Sequence, residues 1–196
     1  MNEDFARLLA QVRSCTHCAA HLPNAPNPVV QAAANSRIAI IGQAPGRKVE
    51  QTGIPWNDPS GRELRLWLGV DDSDFYNPGL FALMPMGFCY PGKGTSGDLP
   101  PRPECAPLWH QRLLAGMPNI QLTLLIGKYA QVHYLGRKEV TSLTDTVRRF
   151  ETYLPTYFPI IHPSPRNKMW HKRNPWFMDH VVPALRKTVH DIIRNG

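Results

Sequence analysis

Long apolar runs are missing from this chain of 196 residues. None approaches the ~20 residues that a membrane-spanning helix needs, and a hydrophobic content of 42% is that of a folded, soluble protein. Cysteine is scarce, at four, which excludes a small disulfide-dense scaffold. Internal repeats are absent, which excludes a solenoid or a propeller. Acidic residues thin out where basic ones do not. Residues 126–196 carry 12 of the 22 Lys+Arg but only 5 of the 15 Asp+Glu, so the formal charge of +7 falls entirely on that last third. Such a one-sided positive field attracts polyanions and speeds their capture. The opening MNEDFARLLAQVRS is amphipathic and mixed in charge, unlike a secretory signal, so the expected compartment is the cytoplasm. The length fits one domain, residues 1–196, with a real core. Twenty prolines are many; Trp, Phe and Leu interleave with them, which predicts long ordered loops rather than disorder.

What is present reads as alternating strands and helices. Phe5, Leu8, Leu9 and Val12 recur at helical spacing over residues 3–13. Ile38-Ala39-Ile40-Ile41 is a short buried strand, followed by candidates at Leu80–Met86, spoiled by Pro85, at Gln121–Gly127 and at Tyr157–Ile161. Helices are expected over Arg62–Leu68, Pro107–Ala115, Lys128–Leu135 and from about Pro175 to Ile193. His21–Ala34 reads as a surface loop, Val70–Tyr76 as an acidic turn and Thr141–Phe150 as a polar, basic connection. Cys89–Cys105 reads as a loop without regular structure, long enough to need an anchor. This order predicts a three-layer α/β/α sandwich around a central, mainly parallel four-stranded sheet. Ligands of such sheets sit beyond the carboxyl ends of the strands. Gly42–Gly46 and His162–Asn167 both follow strand ends, so they can share one crevice.

The stretch Gly42–Gly61 carries the densest chemistry. Gly42-Gln43-Ala44-Pro45-Gly46 must turn sharply, and its glycines let backbone N–H groups approach a ligand closely. Trp56 offers a stacking face for a flat ligand. Asp58 is the only acid there besides Glu50, although an Asp at a turn also serves as a local cap. Cys15 and Cys18 form C-x2-C, and Cys89 and Cys105 complete a set of four. In a cytoplasmic protein such a set favours a metal over disulfides. Four thiolates suit tetrahedral zinc or an iron–sulfur cluster, and the spacing does not choose between them.

These residues also carry a resemblance. G-x-A-P-G, then T-G-x-P-aromatic and S-G, resembles the first motif of the uracil-DNA glycosylase superfamily. The cysteine spacing is similar to that of its iron–sulfur (family 4) members, in which a [4Fe–4S] cluster pins a long loop. His162-Pro163-Ser164-Pro165-Arg166-Asn167 resembles the second glycosylase motif, closest in wording to the single-strand-selective enzymes. The resemblance implies a DNA repair glycosylase that flips uracil, or a related deaminated base, out of DNA and hydrolyses its N-glycosidic bond. It implies a [4Fe–4S] cluster, with zinc as the alternative, on Cys15, Cys18, Cys89 and Cys105. DNA is the implied partner, with no membrane, and the protein is expected to be a monomer. The catalytic residues would be His162, Asp58 and Gln43. Gly42, Ala44, Pro45, Gly46, Trp56 and Ser164 would hold the base. Pro165 and Arg166 would fill the gap left by it, with Asn167, Lys168, Lys172 and Arg173, and His171 among them, along the DNA.

Three positions depart from the family-4 pattern. Gln43 stands where a Glu usually positions the attacking water; an amide can orient water but cannot take its proton. Pro85 stands where an Asn usually reads the uracil edge, which shifts base reading to backbone groups around Met84–Gly87. Asp58 precedes Ser60-Gly61 much as a catalytic Asp does in family-5 enzymes, with one residue fewer after the aromatic. Two other readings follow: a catalytically weak binder of damaged or single-stranded nucleic acid, or the same chemistry on another base such as hypoxanthine.

Overall fold

The computed structural model describes residues 3–195. The chain runs α1 (Glu3–Arg13), β1 (Ile38–Ile41), α2 (Arg47–Thr52), α3 (Pro59–Leu68), α4 (Asp72–Phe75) and β2 (Phe81–Leu83). It continues through a small hairpin, β3 (Lys93–Gly94) and β4 (Gly97–Asp98), to α5 (Cys105–Ala115), β5 (Leu122–Ile126), α6 (Gly127–Leu135), α7 (Leu143–Arg148), β6 (Tyr157–Ile160), α8 (Lys168–Arg173) and α9 (Val182–Arg194). Four strands form the central sheet in the order β2-β1-β5-β6. Every neighbouring pair is parallel, so the sheet is wholly rather than mainly so.

Both faces of the sheet are covered, which is why its strands read as continuous apolar runs. Ile38, Ile40, Phe81, Leu83, Leu124 and Phe158 share one core with Leu64 and Trp67 of α3 and Leu185 and Val189 of α9. The alternate residues Ala39, Ile41, Ala82 and Leu125 share the other with Phe5, Leu9 and Val12 of α1 and Trp109 and Leu113 of α5. The chain passes from β1 outward to β2, then returns to the other side of β1 as β5. The crevice beyond the carboxyl ends of β1 and β5 is therefore the point at which the winding reverses, where α/β sheets bind ligands. Among the described residues no helix is long and apolar enough to cross a membrane.

Several segments differ from their sequence reading. β2 ends at Leu83 ahead of Pro85, yet single bonds carry its pairing onward: Met84 N–H donates to Ile40 O (2.9 Å), Met86 N–H to Gly42 O (2.9 Å) and Gly87 N–H to Gln43 O (3.0 Å). Residues 21–34 are more than a surface wrap. Val29 and Val30 are buried, and Gln31 pairs antiparallel with Leu83, covering the edge of β2. The 141–150 connection holds α7, whose N-cap Ser142 accepts from Asp145 N–H and whose Thr146 and Val147 are buried. The Cys89–Cys105 loop contains the β3–β4 hairpin, paired Lys93 to Asp98 and Gly94 to Gly97. The last helix covers the expected span without a break, but its first part, Phe177–Val181, is wound as a wider turn just ahead of Pro183, which lacks an N–H.

Candidate active site

Beyond the end of β1 lies an open cleft with about 420 Å³ of empty space, part of it continuous with solvent. Gly42, Gln43, Ala44, Pro45 and Gly46 form one wall, Trp56 and Asp58 another, and Pro85 and His162 close it. Val29, Val49 and Pro55 line it too. Pro55 is the proline of the T-G-x-P-aromatic motif, whereas no sequence signal marked Val29 or Val49, ordinary apolar residues placed there by tertiary packing.

Trp56 is held in an unusual backbone geometry. Its φ of 57° is the only positive value at a non-glycine residue among those described, a conformation that costs a bulky residue on the order of 1–3 kcal/mol. The surroundings impose it. Tyr76 Oη donates to Pro55 O (3.1 Å) and Arg65 Nη1 to Trp56 O (3.5 Å), while Arg65 is itself fixed by Asp72 at 2.6 Å. Two glycines make room. A Cβ on Gly42 would stand 2.8 Å from Trp56 Cζ2, and one on Gly61 only 1.7 Å from the Trp56 carbonyl oxygen. The indole thus lies directly on the turn that follows β1, tilted 31° to the His162 ring with centroids 5.7 Å apart.

His162 follows β6 and is half-buried. Its carbonyl accepts from Ser164 N–H (2.8 Å) and Asn167 Nδ2 (2.6 Å), which locks the turn that presents the ring. Burial pushes its pKa below the ordinary value, and the carboxylate of Asp58 pulls the other way more weakly. The ring is therefore neutral at pH 7, with one N–H to give. Asp58 is both a cap and a cleft residue. Its Oδ1 accepts from Gly61 N–H (2.8 Å) at the start of α3, and among the described residues its Oδ2 has no hydrogen-bond partner. Gln43 lines the cleft with its amide equally free of protein partners.

Pro85 closes the floor through a buried relay. His110 Nε2 donates to Pro85 O (3.0 Å), and His110 Nδ1 accepts from Tyr134 Oη (2.7 Å). A carbonyl only accepts, so the proton must sit on Nε2. The backbone N–H groups of Met84, Met86 and Gly87 are all committed to the β1 segment. These three N–H groups are therefore not free to read a base. The N–H groups of Ala44 and Gly46 are free among the described residues. Burial drives the His110 pKa from 6.5 down to about 4. A group depressed in this way contributes stability that is full above pH 6.5 and is lost as pH falls toward 4, by about 3 kcal/mol. Urea unfolding should show that loss in the parent protein, and His110→Gln, which cannot charge, should flatten the slope.

The other sequence-nominated residues fall into two groups. Ser164 does not line the cleft; its Oγ accepts from Arg166 N–H (3.2 Å) and caps the turn Pro165–Asn167. Asn167 faces inward onto His162. Pro165, Arg166, Lys168, Lys172 and Arg173 are exposed beside the cleft, with Arg166 Nη1 tied to Ser96 O of the hairpin (3.4 Å). His171 does not join that basic face. It packs edge-on to Trp67 (5.6 Å) and against Phe177 (5.5 Å), and burial lowers its pKa.

Cys15, Cys18, Cys89 and Cys105 come from three distant stretches of chain and line one cavity beneath Phe88 and Trp109. Phe88 N–H donates to Cys105 Sγ at 3.4 Å, and among the described residues the buried Trp109 Nε1 has no acceptor. As free thiols, Cys89 and Cys105 are pushed by burial up to about 11 and about 12. Among the described residues no three His, Cys, Asp or Glu side chains are grouped so as to hold a metal ion.

The strands, the turn after β1, the Trp56 shelf and the His162 turn all fall within residues 29–186, the span matched by the family model described as the uracil DNA glycosylase superfamily. Cys89 and Cys105 lie inside that span, Cys15 and Cys18 outside it. A match that takes in the whole sheet and every residue lining the cleft leaves one conclusion: the chain belongs to the uracil DNA glycosylase superfamily.

Proposed function

We propose that the protein hydrolyses the N-glycosidic bond of uracil, or of another deaminated base, turned out of DNA into this cleft. One observation carries the reading. A neutral imidazole, a carboxylate, a free amide and an aromatic face converge on a single opening at the strand ends. A base must leave the duplex stack to be reached, and Trp56 offers it a new partner, worth ~1–3 kcal/mol per stacked base. The free N–H groups of Ala44 and Gly46 and the Gln43 amide are left to read its edge. As the bond from C1′ to the base breaks, its electron pair goes to the base, and His162 N–H donates to the oxygen on which that charge collects. Water adds to C1′, oriented by Gln43, and its proton passes to Asp58. The exposed Pro165 and Arg166 supply the wedge, and the exposed Lys168, Lys172 and Arg173 the phosphate contacts.

We also read the four cysteines as holding a [4Fe–4S] cluster, a structural group that would pin the loop from Cys89 to Cys105. Three features support this reading: all four cysteines line one cavity, Phe88 N–H points at the sulfur of Cys105, and among the described residues Trp109 Nε1 lacks an acceptor. A single zinc, with Zn–S near 2.3 Å, needs its thiolates gathered closely; a polynuclear cluster holds them farther apart. Purified protein should be brown, with broad visible absorption that disappears in Cys89→Ala. Colourless protein containing one zinc would remove the cluster and keep the four-thiolate site.

Oligonucleotides carrying uracil, hypoxanthine or normal bases, incubated with the protein and then treated with alkali, test the activity. Strand breaks at uracil are expected. Tight binding without breaks at any base would leave a binder that has lost the chemistry.

A further inference from the structure

A groove with about 1140 Å³ of empty space, part of it continuous with solvent, separates the proline-rich segment 100–107 from α6, and the reaction described above makes no use of it. Its chemistry is one-sided. Lys128, His133 and Arg137 line it and are exposed, and among the described residues no acidic one does. Among the described residues neither Lys128 nor Arg137 has an ion-pair partner. Between them Tyr129 is 39% exposed, and among the described residues its ring packs on no other aromatic ring. The groove also starts where the cleft ends. Pro85 lines the cleft and Met86 the groove. Gly127 lies against His162, with a virtual Cβ 3.9 Å from His162 Cβ, and Lys128 is the next residue. α6 packs on the α1/α5 face of the sheet through Ala130, whereas Trp170 of α8 packs on the opposite face. A strand crossing the cleft from the Pro165–Arg173 segment would run out into this groove.

We propose that this groove is a second nucleic-acid subsite, which holds an unpaired strand continuing from the flipped nucleotide. Tyr129 stacks on one of its bases, and Lys128 and Arg137 neutralise its phosphates. The occupant is single-stranded because a duplex hides its base faces, whereas an unpaired strand offers each one to an exposed ring. The proposal rests on the DNA glycosylase reading and deepens it.

The test compares a long uracil-containing single strand, a minimal one that only covers the cleft, and a blunt duplex. Affinity and single-turnover cleavage are measured on each for the parent, Tyr129→Ala and the double variant Lys128→Gln/Arg137→Gln. The parent should prefer the long strand. Tyr129→Ala should weaken long-strand binding by about tenfold or more relative to the minimal strand. The double variant should flatten the salt dependence of long-strand binding by about 1.4, two contacts at ~0.7 each. All three positions are exposed, and thermal unfolding checks that the variants fold. Cleavage in which the long-strand preference survives both variants overturns the subsite and leaves the glycosylase reading standing. An equal loss on blunt duplex also overturns it, making the groove a general phosphate track. A parent that neither binds nor cleaves any of the three overturns both readings.

Discussion

His162→Ala should lower single-turnover cleavage of a uracil-containing strand by ~10²–10³-fold, the usual effect of losing one donor to a developing anion, while DNA affinity changes little. The size follows from where the ring sits. Burial keeps it neutral, so its N–H meets a charge that exists in full only as the bond breaks, and a half-buried wall weakens the competition from water. The ring is also held in advance. Its carbonyl accepts two hydrogen bonds and its face meets Trp56, so little reorganisation accompanies the reaction. His162→Gln keeps an N–H donor on a different stem and should recover part of the loss. Rapid-quench measurement under enzyme excess separates this effect from binding. A His162→Ala rate within threefold of the parent would assign leaving-group stabilisation to another donor, with the free Ala44 and Gly46 N–H groups next in line.

The order of strands was legible because buried parallel strands are short apolar runs, and Ile38–Ile41 is one with no competing helical period. β6 was legible even though it contains Pro159. It is an edge strand, where a missing N–H costs little. α7 was hidden because only Thr146 and Val147 of its six residues are buried, too few to show a period. The β3–β4 hairpin was hidden by glycine, which marks turns and disorder alike. In the site, T-G-x-P-W announced an aromatic, but its positive φ depends on Tyr76 and Arg65, far along the chain from Gly42 and close only in the fold. The same holds for His110. Nothing near it in sequence marks it as the residue that pins Pro85, 25 positions away. His171 misled because its neighbours Lys172 and Arg173 are exposed cations, while helical geometry turns His171 itself toward Trp67 and Phe177.

Asp58→Asn should lower single-turnover cleavage by ~10²-fold or more, the low end for a lost general base, with DNA binding and thermal stability held. The structure makes this substitution unusually clean. Asp58 Oδ1 caps α3 through Gly61 N–H, and Asn retains that oxygen and ranks with Asp as an N-cap. The cap therefore survives, and what is lost is the negative charge and the ability to accept a proton. Asp58→Ala, by contrast, removes cap and charge together, at about 1 kcal/mol of stability for the cap alone. Comparing the two variants by unfolding midpoint and by cleavage rate separates the residue's two duties. Gln43→Glu should leave the rate unchanged or raise it, since it adds a second carboxylate to a cleft that already has one acceptor. The two substitutions also probe each other. If Asp58 takes the proton from water, Gln43→Glu in the Asp58→Asn background should restore part of the lost rate, because a carboxylate returns to the same cleft. An Asp58→Asn variant that cleaves at the parent rate would make Asp58 a cap alone. The barrier would then be lowered by His162 and the Trp56 shelf, with water attacking an already cationic sugar unaided.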